Sequence, residues 1–178
     1  MKTIGLIGGM SWESSSTYYQ VINTATRGAL GGLHSAKSIM YSVDFAELEV
    51  LQAQDHWDAA ADLLIDAAQK VAKGGADFIL ICTNTMHKLA DAVQREIPLP
   101  LLHIADATAD KIKAAGLQTV ALLGTRFTME EDFYKVRLSQ IHGLKVLIPD
   151  TDDRQCVHDV IYEELCAGRI EKDSKRRY

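Results

Sequence analysis

Six consecutive residues in the middle of the chain, Cys82-Thr83-Asn84-Thr85-Met86-His87, combine groups that donate, accept and exchange protons. They follow Phe78-Ile79-Leu80-Ile81, an apolar run of the kind that forms a strand buried on both faces. A helical pattern comes next, with Leu89, Ala90 and Val93 on one stripe and Lys88, Asp91 and Gln94 on the other. A parallel strand ending in Cys, Thr, Asn and Thr aims those groups out of the carboxyl edge of its sheet, where open α/β sheets bind ligands. The same residues have ordinary uses as well. Thr85 can cap the helix, and a free cysteine packs readily into a core. His87 can tune a neighbouring thiol or hydroxyl, or simply cap. Other chemistries find no support. Gly8-Gly9 lacks dinucleotide spacing and a phosphate-binding lysine, no Gly-x-Ser-x-Gly elbow occurs, and the six histidines show no metal-ligand spacing.

The elements that must position these groups alternate between strand and helix. Residues 3–7 read as a buried strand closed by Gly8-Gly9. Residues 11–30 follow as a helix, with Trp12, Tyr18, Tyr19, Val21, Ile22 and Ala25 on its apolar side. Glu13 lies in its first turn, where a negative charge suits the helix dipole. Residues 38–43 are strand-like, 47–54 form a short helical stretch, and 57–73 a long helix stopped by Gly74-Gly75. After the central strand and its helix, Pro98-Leu99-Pro100 breaks the pattern and 101–104 reads as a fourth strand. A further helix over 106–115 then leads to Thr119-Val120-Ala121-Leu122-Leu123-Gly124, which repeats the layout of Thr3-Ile4-Gly5-Leu6-Ile7-Gly8. The reading is an α/β protein of two pseudo-symmetric lobes, each with a mostly parallel four-stranded sheet. The first lobe covers 1–98, and the second is incomplete over 99–178. Gly8 precedes Thr83 by 75 residues, so a duplicated Thr83 belongs at about position 199, past Tyr178. That spacing suggests a longer natural chain.

Composition narrows the class. A net charge of −5, from 24 acidic and 19 basic residues, argues against an electrostatic nucleic-acid binder. The Arg and Lys residues between 169 and 177 are interspersed with Glu171 and Asp173 and read as a solvated helix face. Three cysteines without framework spacing suggest a reducing compartment. No leader pattern or membrane-length apolar run is visible, so the expectation is a cytoplasmic protein with no membrane partner.

Three blocks in order carry a resemblance. Ile4-Gly5-Leu6-Ile7-Gly8-Gly9-Met10-Ser11-Trp12-Glu13-Ser14, Cys82-Thr83-Asn84-Thr85-Met86-His87-Lys88 and Leu123-Gly124-Thr125-Arg126-Phe127-Thr128-Met129 resemble the aspartate/glutamate racemase superfamily. The likeness is strongest to its aspartate/glutamate-type and broad-specificity amino-acid racemases. It implies an active site between two lobes, no cofactor, a small amino-acid substrate and no metal. The family generally uses one cysteine per lobe as acid and base, since a thiol near pKa 8.5 exchanges protons near neutrality. Its first cysteine lies in Cys-Asn-Thr; aligned on Asn84-Thr85, that position here is Thr83, with Cys82 displaced by one. Alternation along a strand keeps Cys82 and Thr83 from facing one cleft together, which favours Thr83 as the catalytic group and leaves Cys82 as the alternative. The second motif, Gly-Cys-Thr, has no match in 1–178, while Cys156 and Cys166 lie in a helical pattern as core filler.

Substrate-binding candidates are Met10 and Ser11 ahead of the first helix, Gln52, Asn84, Thr85 and Thr125. A substrate carboxylate needs backbone N–H donors or a helix N-terminus, which these turns supply. Trp12, Tyr18 and Tyr19 suit a homodimer face or core packing. Two rival readings remain at this stage: a non-catalytic amino-acid binder, and another carbon-acid enzyme such as a decarboxylase or diacid isomerase.

Overall fold

The computed structural model describes residues 1–178. β1 (Ile4–Gly8) leads into α1 (Trp12–Leu30), β2 (Ser38–Ser42), α2 (Phe45–Ala53), α3 (Trp57–Lys73) and β3 (Phe78–Ile81). A 3₁₀ segment, Thr85–Leu89, then runs into α4 (Ala90–Arg95). β1 is the central strand, paired in parallel with β2 and β3, so the carboxyl ends of all three strands lie on one edge. Leu6, Ile7, Ile79 and Ile81 are buried, as the apolar runs require. α3 covers the sheet with Ala60, Ala61, Leu64, Ala67, Ala68 and Val71, a stripe whose small residues permit close approach. Gly5 shows how close: a Cβ there would stand 2.4 Å from Val71 Cγ1.

Residues 101–104 do not form the expected strand. Leu101 makes one parallel bridge to Ile79, occupying the fourth position in the sheet, and α5 begins at Ile104. Pro98 and Pro100 carry no backbone N–H, so the segment cannot build a longer ladder. The apolar side expected for α1 is also different. Trp12, Tyr19 and Val21 are 66%, 52% and 59% exposed, and Ser15 is the buried residue of that helix. The helix approaches Gly8 so closely that a Cβ there would meet Ser15 Oγ at 2.7 Å, and only a small residue fits the contact.

The chain divides into two compact units, Met1–Leu102 and His103–Tyr178. The second contains α5 (Ile104–Ala114), β4 (Thr119–Ala121), α6 (Arg126–Glu130), α7 (Asp132–Val136), a π-helical turn at Arg137–Ile141, β5 (Lys145–Leu147), α8 (Thr151–Asp159) and α9 (Lys172–Arg177). β4 and β5 are parallel. Ala105, Ala109, Tyr134, Leu138 and Leu144 form the core of this unit. Arg137 clamps Asp106 with two 2.7 Å hydrogen bonds, and His142 Nε2 donates to the same carboxylate at 2.8 Å. The Arg137 bonds hold Asp106 well below the usual carboxylate range. No helix is long and apolar enough to cross a membrane.

Gly9 is the tightest position in the turn after β1. Its φ of +97° lies in the region that favours glycine, and a Cβ would stand 2.2 Å from the Val43 carbonyl oxygen. Gly9→Ala is therefore expected to cost about 3 kcal/mol, from strained backbone plus overpacking. Gly31→Ala, at φ +76° with open space around its Cβ, supplies the control. Its expected cost is about 2 kcal/mol, the backbone component alone in a region that is essentially glycine's, and urea denaturation compares the two.

Candidate active site

The carboxyl edge of the first sheet gathers three segments. Cys82 N–H donates to the Ile7 carbonyl at 2.9 Å, continuing the β1–β3 ladder by one residue and setting Cys82 beside the turn after β1. From the other side Ser14, in the first turn of α1, donates its hydroxyl to the Cys82 carbonyl at 2.6 Å. Ser15 accepts from Gly9 N–H at 2.8 Å and donates to the Ser11 carbonyl at 3.1 Å. These bonds fix the Gly9-Met10-Ser11 turn against the end of β3, with Met10 and Ser11 buried. Ser14 and Ser15 were not among the candidates read from sequence. Their hydroxyls matter through partners 68 and 6 residues away, which no local pattern encodes.

Beyond Cys82 the side chains separate by environment. Cys82 is wholly buried, and burial pushes its thiol up to about 12. Thr83 is half-buried and Asn84 exposed. Asn84 occupies the N-cap position of the 3₁₀ segment, without a side-chain cap bond, and the buried Thr85 is the first residue inside it. His87 is buried, with Nδ1 2.7 Å from the Thr83 carbonyl oxygen. A carbonyl only accepts, so Nδ1 carries the proton in this contact and the ring anchors the backbone of Thr83. Gln52 lies within α2 and is buried, with Nε2 3.8 Å from Met86 Sδ.

The first unit thus brings Met10, Ser11, Gln52, Thr83, Asn84 and Thr85 to segments at or packed beneath one sheet edge. Thr125 belongs to the second unit, in the turn that follows β4. It is the N-cap of α6, where its hydroxyl accepts from Thr128 N–H at 3.3 Å. No group of three or more His, Cys, Asp or Glu side chains is placed to hold a metal ion.

The model of the Asp/Glu/hydantoin racemase family matches residues 7–177. The chain belongs to that family. Within it, the chain is 30% identical over 153 residues to the broad-specificity amino-acid racemase RacX of Bacillus subtilis. That match covers 83% of this chain and 64% of RacX, so the chain spans under two thirds of that relative's length. A crystal structure of a Yersinia pestis protein, provisionally assigned as an Asp/Glu racemase, is 55% identical. It superposes with a TM-score of 0.90, covering 100% of this chain and 77% of that one. The aspartate racemase homologue of Pyrococcus horikoshii OT3 is 36% identical, with a TM-score of 0.81 over 95% of this chain and 74% of that one. Family membership turns attention to which of Cys82 and Thr83 is chemically available.

The buried thiol gives a direct readout. At pH 8 a thiol near 12 has a thiolate fraction smaller than that of an ordinary cysteine by roughly three orders of magnitude. Alkylation of the folded chain with iodoacetamide, followed by mass spectrometry, is expected to label the half-buried Cys156 and Cys166 well before Cys82.

Proposed function

We propose that the chain provides part of a cofactor-independent amino-acid racemase, acting on aspartate, glutamate or a broader set by two-base proton transfer at the α-carbon. Thr83 is one acid/base group in this reading, and Cys82 is its alternative. The observation that carries it is the contrast between adjacent residues at the end of β3: Thr83 is half-buried, whereas Cys82 is wholly buried and out of reach of a substrate. Removing an α-proton without an electron-sink cofactor leaves carbanion stabilisation to fixed dipoles. Backbone N–H groups at the Met10-Ser11 turn and at Asn84-Thr85 suit the substrate carboxylate, on which that charge accumulates. In this reading the second base belongs to a Gly-Cys-Thr motif, which residues 1–178 do not contain. The exposed Trp12 and Tyr19, two turns apart on one face of α1, support a homodimer through that helix face. The sequence features set out above support a cytoplasmic location.

Chiral chromatography tests this reading, with L- and D-aspartate, glutamate and homoserine supplied without cofactor. The protein is the chain joined to a family segment bearing Gly-Cys-Thr. Appearance of the opposite enantiomer supports racemisation; ligand binding with no antipode formed contradicts it. A binding protein without turnover is the second reading, and one observation favours it: neither a threonine hydroxyl nor a thiol near 12 is a strong base at neutral pH.

A further inference from the structure

Two buried side-chain oxygens in the chain accept no hydrogen bond from the protein, Glu13 Oε2 and Glu164 Oε2. Glu164 is partly satisfied, because Ser174 donates to its other oxygen at 2.6 Å. Glu13 is set apart by its place in the fold. It is the second residue of α1, and its neighbour Ser14 is bonded to the Cys82 carbonyl at 2.6 Å. Its backbone therefore lies one residue from a group in contact with the residue before Thr83. No other acidic residue occurs between Gly8 and Ser16 or between Cys82 and Lys88.

A buried carboxylate oxygen without a donor is costly, and in a native structure such an atom calls for a functional explanation. A free amino acid supplies what Glu13 lacks. Its α-ammonium group carries three N–H donors and a positive charge, and the pairing would be a charge-assisted hydrogen bond. The other candidates at this edge offer hydroxyls, amides and backbone N–H groups suited to a carboxylate. None offers a negative charge to the nitrogen. We infer that Glu13 receives the α-ammonium group of the substrate and so selects amino acids over otherwise similar acids that lack nitrogen. The assignment rests on the amino-acid reading above. With the ammonium held at Glu13 and the carboxylate at backbone N–H groups, rotation of the α-carbon is fixed and its C–H bond is directed at the acid/base group. A site built to pair with a donor also rejects the analogue that lacks it.

Calorimetric titration of the chain joined to a Gly-Cys-Thr segment, with L-aspartate and with succinate, which differ only in the amino group, tests this. Glu13→Gln is expected to weaken aspartate binding by about tenfold or more while succinate binds equally or more tightly. Glu13→Asp, which keeps the charge, is expected to retain part of the preference for aspartate. Equal weakening of both ligands in Glu13→Gln would reveal a structural role and overturn the assignment, as would an unchanged ratio. If the unsubstituted extended protein binds neither probe, the amino-acid reading falls and this assignment with it. If it binds both and Glu13→Gln leaves their ratio unmoved, the assignment falls alone.

Discussion

Thr83→Ala is expected to lower racemisation by about 10²- to 10⁴-fold, the usual contribution of a positioned acid/base group. Cys82→Ala is expected to stay within about tenfold of the parent, because the wholly buried thiol is out of reach of a substrate. Thr83→Ser keeps the hydroxyl and is expected to recover much of the loss. Chiral chromatography on the protein carrying a Gly-Cys-Thr segment measures all three. The comparison separates chemistry from packing. Cys82 is in the core, so its removal lowers stability, whereas the half-buried Thr83 contributes little to the core and its removal is felt in turnover.

The second large effect concerns pH and belongs to the second unit. His103 is buried at the N-cap of α5, where its Nδ1 accepts the Ala105 N–H at 3.1 Å. Burial, reinforced by the nearby Arg137 charge, lowers its pKa from 6.5 to about 4. A histidine whose folded pKa is depressed contributes stability that is complete above its unfolded pKa and is lost as pH falls toward the folded value. Stability is therefore expected to fall by about 3 kcal/mol between pH 7 and pH 4, as protonation breaks the cap bond and charges a buried ring. His103→Asn keeps a cap acceptor and removes the titration, so denaturant unfolding of this variant should show a much flatter profile across that window. Some slope will persist, since burial also lowers His158, whose Nδ1 accepts the Arg126 N–H at 3.2 Å. Asp106, held low by Arg137, adds its loss at more acidic pH.

The order of strands and helices was legible because its signals are local. The run 78–81 is apolar on both faces, the α3 stripe has helical period, and paired glycines end both long helices. The position of α1 was not legible. Counting apolar residues put Trp12, Tyr19 and Val21 inward, but the contact with β1 is made by small residues, Gly8 and Ser15, at a separation too short for larger ones. Hydrophobic period finds a face covered by large side chains and is blind to close packing through small ones. Site residues divide in the same way. The Cys82-to-Thr85 block announced itself by placing polar groups after an apolar strand. Ser14, Ser15 and the orphan oxygen of Glu13 acquire their meaning only when α1 is docked against β3.

Loss of the α-proton signal of L- and D-aspartate in D2O, followed by NMR without added cofactor, tests the central claim most directly. It should be measured on the 178-residue chain, on the chain joined to a Gly-Cys-Thr segment, and on that extended protein with Thr83→Ala. The account predicts exchange in the extended protein and its collapse on loss of the Thr83 hydroxyl. Bound aspartate that never exchanges, or exchange indifferent to Thr83→Ala, would contradict it.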